Sequence, residues 1–142
     1  MGRRLLAGLW DVEAAIYAGP PPRRDPFDFG LRDAEAVLRA ARAEAERNDW
    51  AVAIAVVDAE GHPFGLIRLD GGRADGATRA LDAARQAVLG GRRVRLLPSG
   101  EPAEAVEIFR VEGHYVAAVG VVGARPEALQ RVLRAARRGF DG

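Results

Sequence analysis

Arg68 and Asp70 stand two residues apart where an apolar run ends in RLDG, and Arg85 follows within the next helical pattern. Residues two apart on a strand point to the same side, so this pair is expected to share a face. With Arg85 as a second cation, the group suits a carboxylate or propionate, because a guanidinium offers two parallel donors to such an anion. The same residues would also serve as an ion pair tying the strand end to the following helix, since structural charge networks resemble sites. On that reading, truncating Arg68 lowers the melting temperature and removes no ligand.

The tripeptide EGH occurs twice, as Glu60-Gly61-His62 and Glu112-Gly113-His114, each between two apolar runs. Imidazole with carboxylate is a zinc donor set, which makes His62 and His114 the metal candidates, helped by Glu60 or Glu112. Turn chemistry alone accounts for the repetition, with Gly supplying positive φ and polar neighbours facing water, so no metal is expected there. Gly71-Gly72 ahead of a helix raises anion binding at a helix N-terminus. The spacing matches neither a dinucleotide fingerprint nor a P-loop, and a plain turn is the simpler account.

Much chemistry is excluded outright. The 142 residues contain no Cys, and all 21 basic side chains are arginine, so thiolate and lysine chemistry are absent. Ser99 is the sole serine and lies in a Pro-Ser-Gly-Glu-Pro loop without a nucleophile-elbow pattern. The formal net charge of +1 and the lack of a basic face interleaved with aromatics argue against nucleic acid. No apolar run is long enough for a membrane helix, and no signal-peptide pattern is present, so a cytoplasmic protein is expected.

The elements that must position these residues follow from periodicity. Residues 4–17 read as an amphipathic helix carrying Leu5, Leu6, Leu9, Trp10, Val12 and Ile16. Pro20, Pro21, Pro22 and Pro26 then force an extended linker, so residues 1–30 form an arm and residues 31–142 the domain. A helix is expected over 31–48, a hairpin over 51–69 and a helix over 75–89 ended by Gly90-Gly91. A short strand is expected at 94–97, a second hairpin over 106–122 and a last helix from Pro126 to Gly139. Helix, hairpin, helix, hairpin, helix is an α+β order with an antiparallel sheet of four to five strands.

The segments AVVD, EGH, RLDG and RALDAARQAVLGG, followed later by VEGHYVAAVGVVG, resemble the GlcG/HbpS-like family, which includes the PduO C-terminal domain. The resemblance runs from about Leu31 to Ala136. It implies a profilin-like fold in which the first strand of the first hairpin lies beside the last strand of the second, so that both turns share one end of the sheet. It also implies binding of haem or a corrinoid and assembly into a homo-oligomer. The chain departs from the family pattern in the short segment after Leu89, in Ala83 where the family usually has Lys, and in a first helix without His.

Haem iron takes His, Cys, Met or Tyr as axial ligand. The residues left for that role are His62, His114, Tyr17 and Tyr115, and none is singled out. The expectation is therefore a non-catalytic module binding haem, a corrinoid or another anionic small molecule, through Arg68, Asp70 and Arg85. The alternatives are a degenerate member acting as an oligomeric interaction subunit, gripping a protein partner with its N-terminal arm, and an enzyme of a biosynthetic or haem-degrading pathway.

Overall fold

The structure, a computed structural model, describes residues 28–90 and 103–141. The expected helix at 4–17, its proline-rich linker and the strand at 94–97 lie outside the described residues. Within them the order is α1 (Leu31–Arg47), β1 (Ala53–Asp58), β2 (Pro63–Arg68), α2 (Gly76–Leu89), β3 (Glu104–Val111), β4 (His114–Val122) and α3 (Pro126–Asp141). The four strands form one sheet in the order β2-β1-β4-β3. Every pairing is antiparallel. The α+β expectation and its strand order are what the chain adopts.

The two hairpin turns carry their own chemistry. Asp58 Oδ1 accepts from the backbone N–H of Glu60 and of His62, each at 2.9 Å, so the side chain organises the first turn. In the second turn Glu112 and Gly113 both have positive φ, +50° and +84°, the requirement of a two-residue turn matched to strand twist. Asp58 stands opposite Ala117 across β1 and β4, and Val111 stands opposite His114. Both tips therefore leave the same end of the sheet, with the second projecting about 10 Å beyond the first because β4 runs three residues past Ala117.

The sheet is covered on both faces, which is why β1 and most of β4 read as unbroken apolar runs. One face presents Ile54, Val56, Val119, Val121 and Phe109 to α1 and α3, and all five are fully buried. The other presents Ala53, Ala55, Ala118 and Gly120 to α2. Phe29, just before α1, and Phe140, near the end of α3, close the first layer, with Phe140 stacked on Phe109 at 4.7 Å between ring centroids. Pro63 opens β2, an edge strand, where a missing N–H costs no ladder bond.

Two expectations about the helices change. The steps of three and four through Leu31, Ala34, Leu38, Ala41 and Ala45 predict an inner face that starts at Leu31, but Leu31 is 58% exposed, and Val37 and Glu44 are buried. Gly139 does not end α3, which continues to Asp141. It sits inside the helix because a Cβ there would stand 2.7 Å from the Ala36 carbonyl oxygen and 2.9 Å from the Ala40 Cβ. This glycine is a point of close helix–helix approach rather than a stop signal. Among the described residues no helix is long and apolar enough to cross a membrane.

Candidate functional site

At the end of the sheet away from the hairpin tips, the chain leaves a cleft of about 430 Å³, within the size range of small-molecule sites. Its floor and walls are Ala51, Ala53, Val122 and Ala124. Gly71, Gly72 and Gly76 lie on the α2 side, and Gly123 lies at the start of the β4–α3 connection. Ala103 completes the apolar wall, and Arg73, Arg79 and Arg125 stand around it. Gly123 has φ +105°, and a Cβ on it would lie 3.1 Å from the Ala51 carbonyl oxygen. Only glycine turns the chain this way while staying against the start of β1.

The first turn of α2 forms the other wall. Arg73 donates through Nε to Asp75 Oδ1 at 2.9 Å and through Nη2 to Oδ2 at 3.4 Å. Arg79 Nε lies 3.3 Å from Asp75 Oδ2. The hydrogen bond from Arg73 holds the Asp75 carboxyl below the usual carboxylate range, against a smaller upward push from desolvation, with the charges of Arg73 and Arg79 adding to the lowering. On the opposite side Arg125 pairs loosely with Glu127, Nε to Oε1 at 3.5 Å. One carboxylate thus aligns two guanidinium groups beside the partly positive N-terminus of a 14-residue helix. An apolar slot edged by three cations and a helix N-terminus favours an anion carried on an apolar body.

The residues singled out from sequence fall in three places. Arg68 and Asp70 line a neighbouring groove of about 450 Å³ with Trp50, Arg42 and Asp49. They do not alternate along one strand, because β2 ends at Arg68 and Asp70 belongs to the turn after it. The expected ion pair is replaced by a backbone contact, in which Arg68 Nη1 donates to the Ala74 carbonyl at 2.9 Å. Arg68 thereby braces the 71–75 loop that walls the cleft. Arg85 is exposed on α2, nine residues beyond Gly76 and about 13 Å along the axis, outside the lining of both grooves.

His62, His114 and Tyr115 lie at the hairpin-tip end. β1 separates that end from the cleft: Ala53 lines the cleft and Asp58 begins the first turn, about 17 Å apart along the strand. His62 is exposed, with Nδ1 3.5 Å from Asp58 Oδ2. Among the described residues no group of three His, Asp or Glu side chains is arranged to hold a metal ion. The combination of His62 and His114 with Glu60 or Glu112 is therefore not assembled.

Sequence reasoning missed Arg73, Arg79 and Arg125 as neighbours. The signal that bears on them is the run Gly71-Gly72-Arg73 just ahead of a helix that itself starts with glycine, Gly76. Nothing in the sequence says that Gly123-Ala124-Arg125 folds back beside it.

Comparison with known proteins now bears on this geometry. A family model described as haem degrading protein HbpS-like matches residues 29–138. The GlcG protein of Escherichia coli K12 is 39% identical over 62 residues, which is 44% of this chain and 46% of GlcG. The chain thus matches about half the length of that curated relative. Among solved structures, ORFY of Klebsiella pneumoniae superposes with a TM-score of 0.65 at 17% identity, over 87% of this chain and 99% of ORFY. A PduOC:haem complex gives 0.63 at 18% identity, over 79% of this chain and 94% of that one. At these identities the two structures speak for the fold.

Proposed function

This chain belongs to the HbpS-like family, and from that premise we propose that it is a non-catalytic binding module for an anionic small molecule with an apolar body, seated in the cleft beside α2. The observation that carries the reading is the apolar slot edged by Arg73, Arg79 and Arg125. Its apolar walls take the body of the ligand, and the arginines take its carboxylates. Arg68 is a positioning residue, acting through its bond to Ala74 on the loop that carries Arg73.

Haem's propionates suit the three arginines, but its iron takes His, Cys, Met or Tyr, and among the described residues the cleft lining contains none of them. The described candidates His62, His114 and Tyr115 stand at the far end of the sheet. The residues fit the carboxylates of such a ligand and not its metal, so no step is routed through iron. A relative's haem complex lends support to a tetrapyrrole-sized ligand, and the donor set here favours recognition through carboxylates alone.

The test is a titration of the full chain with haem and, separately, with metal-free protoporphyrin IX, followed by absorbance and by quenching of tryptophan fluorescence. The expected result is saturable binding of both at similar affinity. Replacing Arg79 or Arg125 by Ala should weaken each about tenfold, the loss of one charge-assisted contact worth roughly 1.4 kcal/mol. Saturable binding of neither ligand would overturn the proposal. So would haem binding with an axial-ligand spectrum that vanishes in His62→Ala or His114→Ala.

A further inference from the structure

On the opposite side of the sheet, α1 and α3 pack side by side, and one charged group is buried at their seam. Glu44 is 4% exposed. Its Oε1 is paired with Arg47 Nη2 and lies 3.9 Å from Arg138 Nη2. Its Oε2 accepts from Arg131 Nη2 at 2.8 Å and from Asn48 Nδ2 at 3.1 Å. Burial pushes the Glu44 carboxyl upward. The hydrogen bonds and charges of Arg47 and Arg131 together outweigh it and leave the group below its ordinary value, so it is ionised at neutral pH.

Among the described residues Glu44 is the carboxylate paired with all three guanidinium groups, while Asp49 and Glu127 line a groove with Arg131 without being paired to it. The three side chains are far from buried: Arg47 is 63% exposed, Arg131 49% and Arg138 67%. A guanidinium carries five N–H donors; Glu44 accepts a hydrogen bond from one nitrogen each of Arg47 and Arg131, and Arg138, at 3.9 Å, makes only an ion pair with it. Arg131 is held a second time, its guanidinium carbon 5.3 Å from the centre of the Trp50 ring. The neighbouring acid Glu46 is engaged with Arg42 at 3.1 Å, and Glu127 with Arg125.

Arg47 and Arg138 both reach the same oxygen of Glu44, which puts their nitrogens no more than about 7 Å apart. A tetrahedral oxyanion bonded to both spans up to about 8 Å from donor to donor, so the separation allows one such group to reach both. Arginine forks recognise phosphate in this way, and the buried carboxylate beneath removes much of the cost of orienting them.

We infer that Arg47, Arg131 and Arg138, anchored by Glu44, form a binding site for a phosphate-type oxyanion on the α1–α3 face. The site lies on the α1–α3 face and does not rest on the reading given for the cleft beside α2, although Arg131 lines a groove that also contains Ala51, Gly123 and Arg125 of that cleft. A soluble phosphate compound and a phospholipid headgroup share this chemistry.

Calorimetric titration of the full chain with inorganic pyrophosphate tests the site. The expected result is one saturable site that weakens as salt is raised. Arg138→Gln should lower the affinity at least tenfold without moving the melting temperature, because Arg47 and Arg131 still hold Glu44, and Arg138→Lys should recover part of the loss. Arg79→Ala, in the cleft, should leave pyrophosphate binding unchanged, which separates failure of this site from failure of the other. Sedimentation with phosphatidylcholine vesicles, with and without phosphatidic acid, distinguishes the sources. Binding to soluble pyrophosphate alone assigns a soluble ligand, and binding to phosphatidic acid that pyrophosphate competes away assigns a headgroup. No saturable binding to either, or affinity unchanged in Arg138→Gln, overturns the site and leaves the arginines as a clamp between two helices.

Discussion

The two faces of the sheet hold their helices by different means. Toward α1 and α3 the strands offer Ile54, Val56, Val119, Val121 and Phe109, and the layer is filled by side-chain volume. Toward α2 they offer Ala53, Ala55, Ala118 and Gly120, and the helix answers with Gly76, Ala80, Ala83 and Ala84. That layer is thin because backbone meets backbone: a Cβ on Gly120 would lie 2.3 Å from the Ala80 carbonyl oxygen. A volume-filled face is damaged by removing atoms, whereas a close-contact face is damaged by adding them. The difference has a functional side, because the thin layer sets how near the N-terminus of α2 stands to Gly123 and Arg125, and so sets the width of the cleft.

The largest effect is expected on the filled face. Phe109 is fully buried, stacked on Phe140, and lies under the Arg137 guanidinium at 4.9 Å. Phe109→Ala should cost about 3–5 kcal/mol in chemical denaturation while leaving ligand binding in the cleft intact in the folded fraction. A cost below about 1 kcal/mol would show that volume is not what holds this layer.

The thin face should respond to a single methyl. Gly120→Ala drives a Cβ into the α2 backbone, for a cost of about 1–3 kcal/mol, and should also weaken the cleft's ligand by shifting the arginines on α2. Adding Ala80→Gly should not rescue it, because the clash is with a carbonyl oxygen rather than a side chain. A Gly120→Ala variant as stable as its parent would break the comparison.

The smallest effect sharpens it at the edge of the filled layer, where α1 and α3 are joined by charge. Glu44→Gln should lose about 1–2 kcal/mol at neutral pH, the value of charge-assisted hydrogen bonds partly retained by the amide. The folded state holds the Glu44 carboxyl below its unfolded value. Its contribution is therefore complete above the unfolded value of about 4.3 and declines as the pH falls through the lower folded one. Thermal melting across pH 3 to 7 should show a shallower acid-side loss in the variant than in its parent. Parallel curves would show that Glu44 does not carry its charge into acid as the arginine cluster requires.

Legibility in the sequence divides along physical lines. The β-branched run of β1, the glycine turns at Gly61 and Gly113, and the apolar steps of Leu129, Val132, Leu133 and Ala136 state their own conformations. The hairpins and helices were readable from them. The inner face of α1 is not legible in its spacing because Leu31, at a helix start, has no described element over it, and because Glu44 reads as a surface residue until Arg131 and Arg138 of α3 arrive beside it. The sequence predicts a stop at Gly139 because a glycine near a helix end carries the same letter whether it caps the helix or admits a neighbour.

By itself the sequence determined the α+β class, the two hairpins, and the absence of cysteine and lysine chemistry, since all of these rest on local pattern or on composition; that both tips share one end is what the family resemblance implies and what the pairing of β1 with β4 bears out. Only the tertiary structure decided which charges meet. Arg73, Arg79 and Arg125 share a cleft because antiparallel pairing of β1 with β4 returns the β4–α3 connection to the start of β1, and because small residues let α2 settle there. Arg68, Asp70 and Arg85 are closer in sequence, yet Arg68 and Asp70 line a separate groove and Arg85 stands apart on α2, nine residues beyond Gly76. Such contacts are set by sheet register and layer spacing, which no stretch of the chain contains by itself.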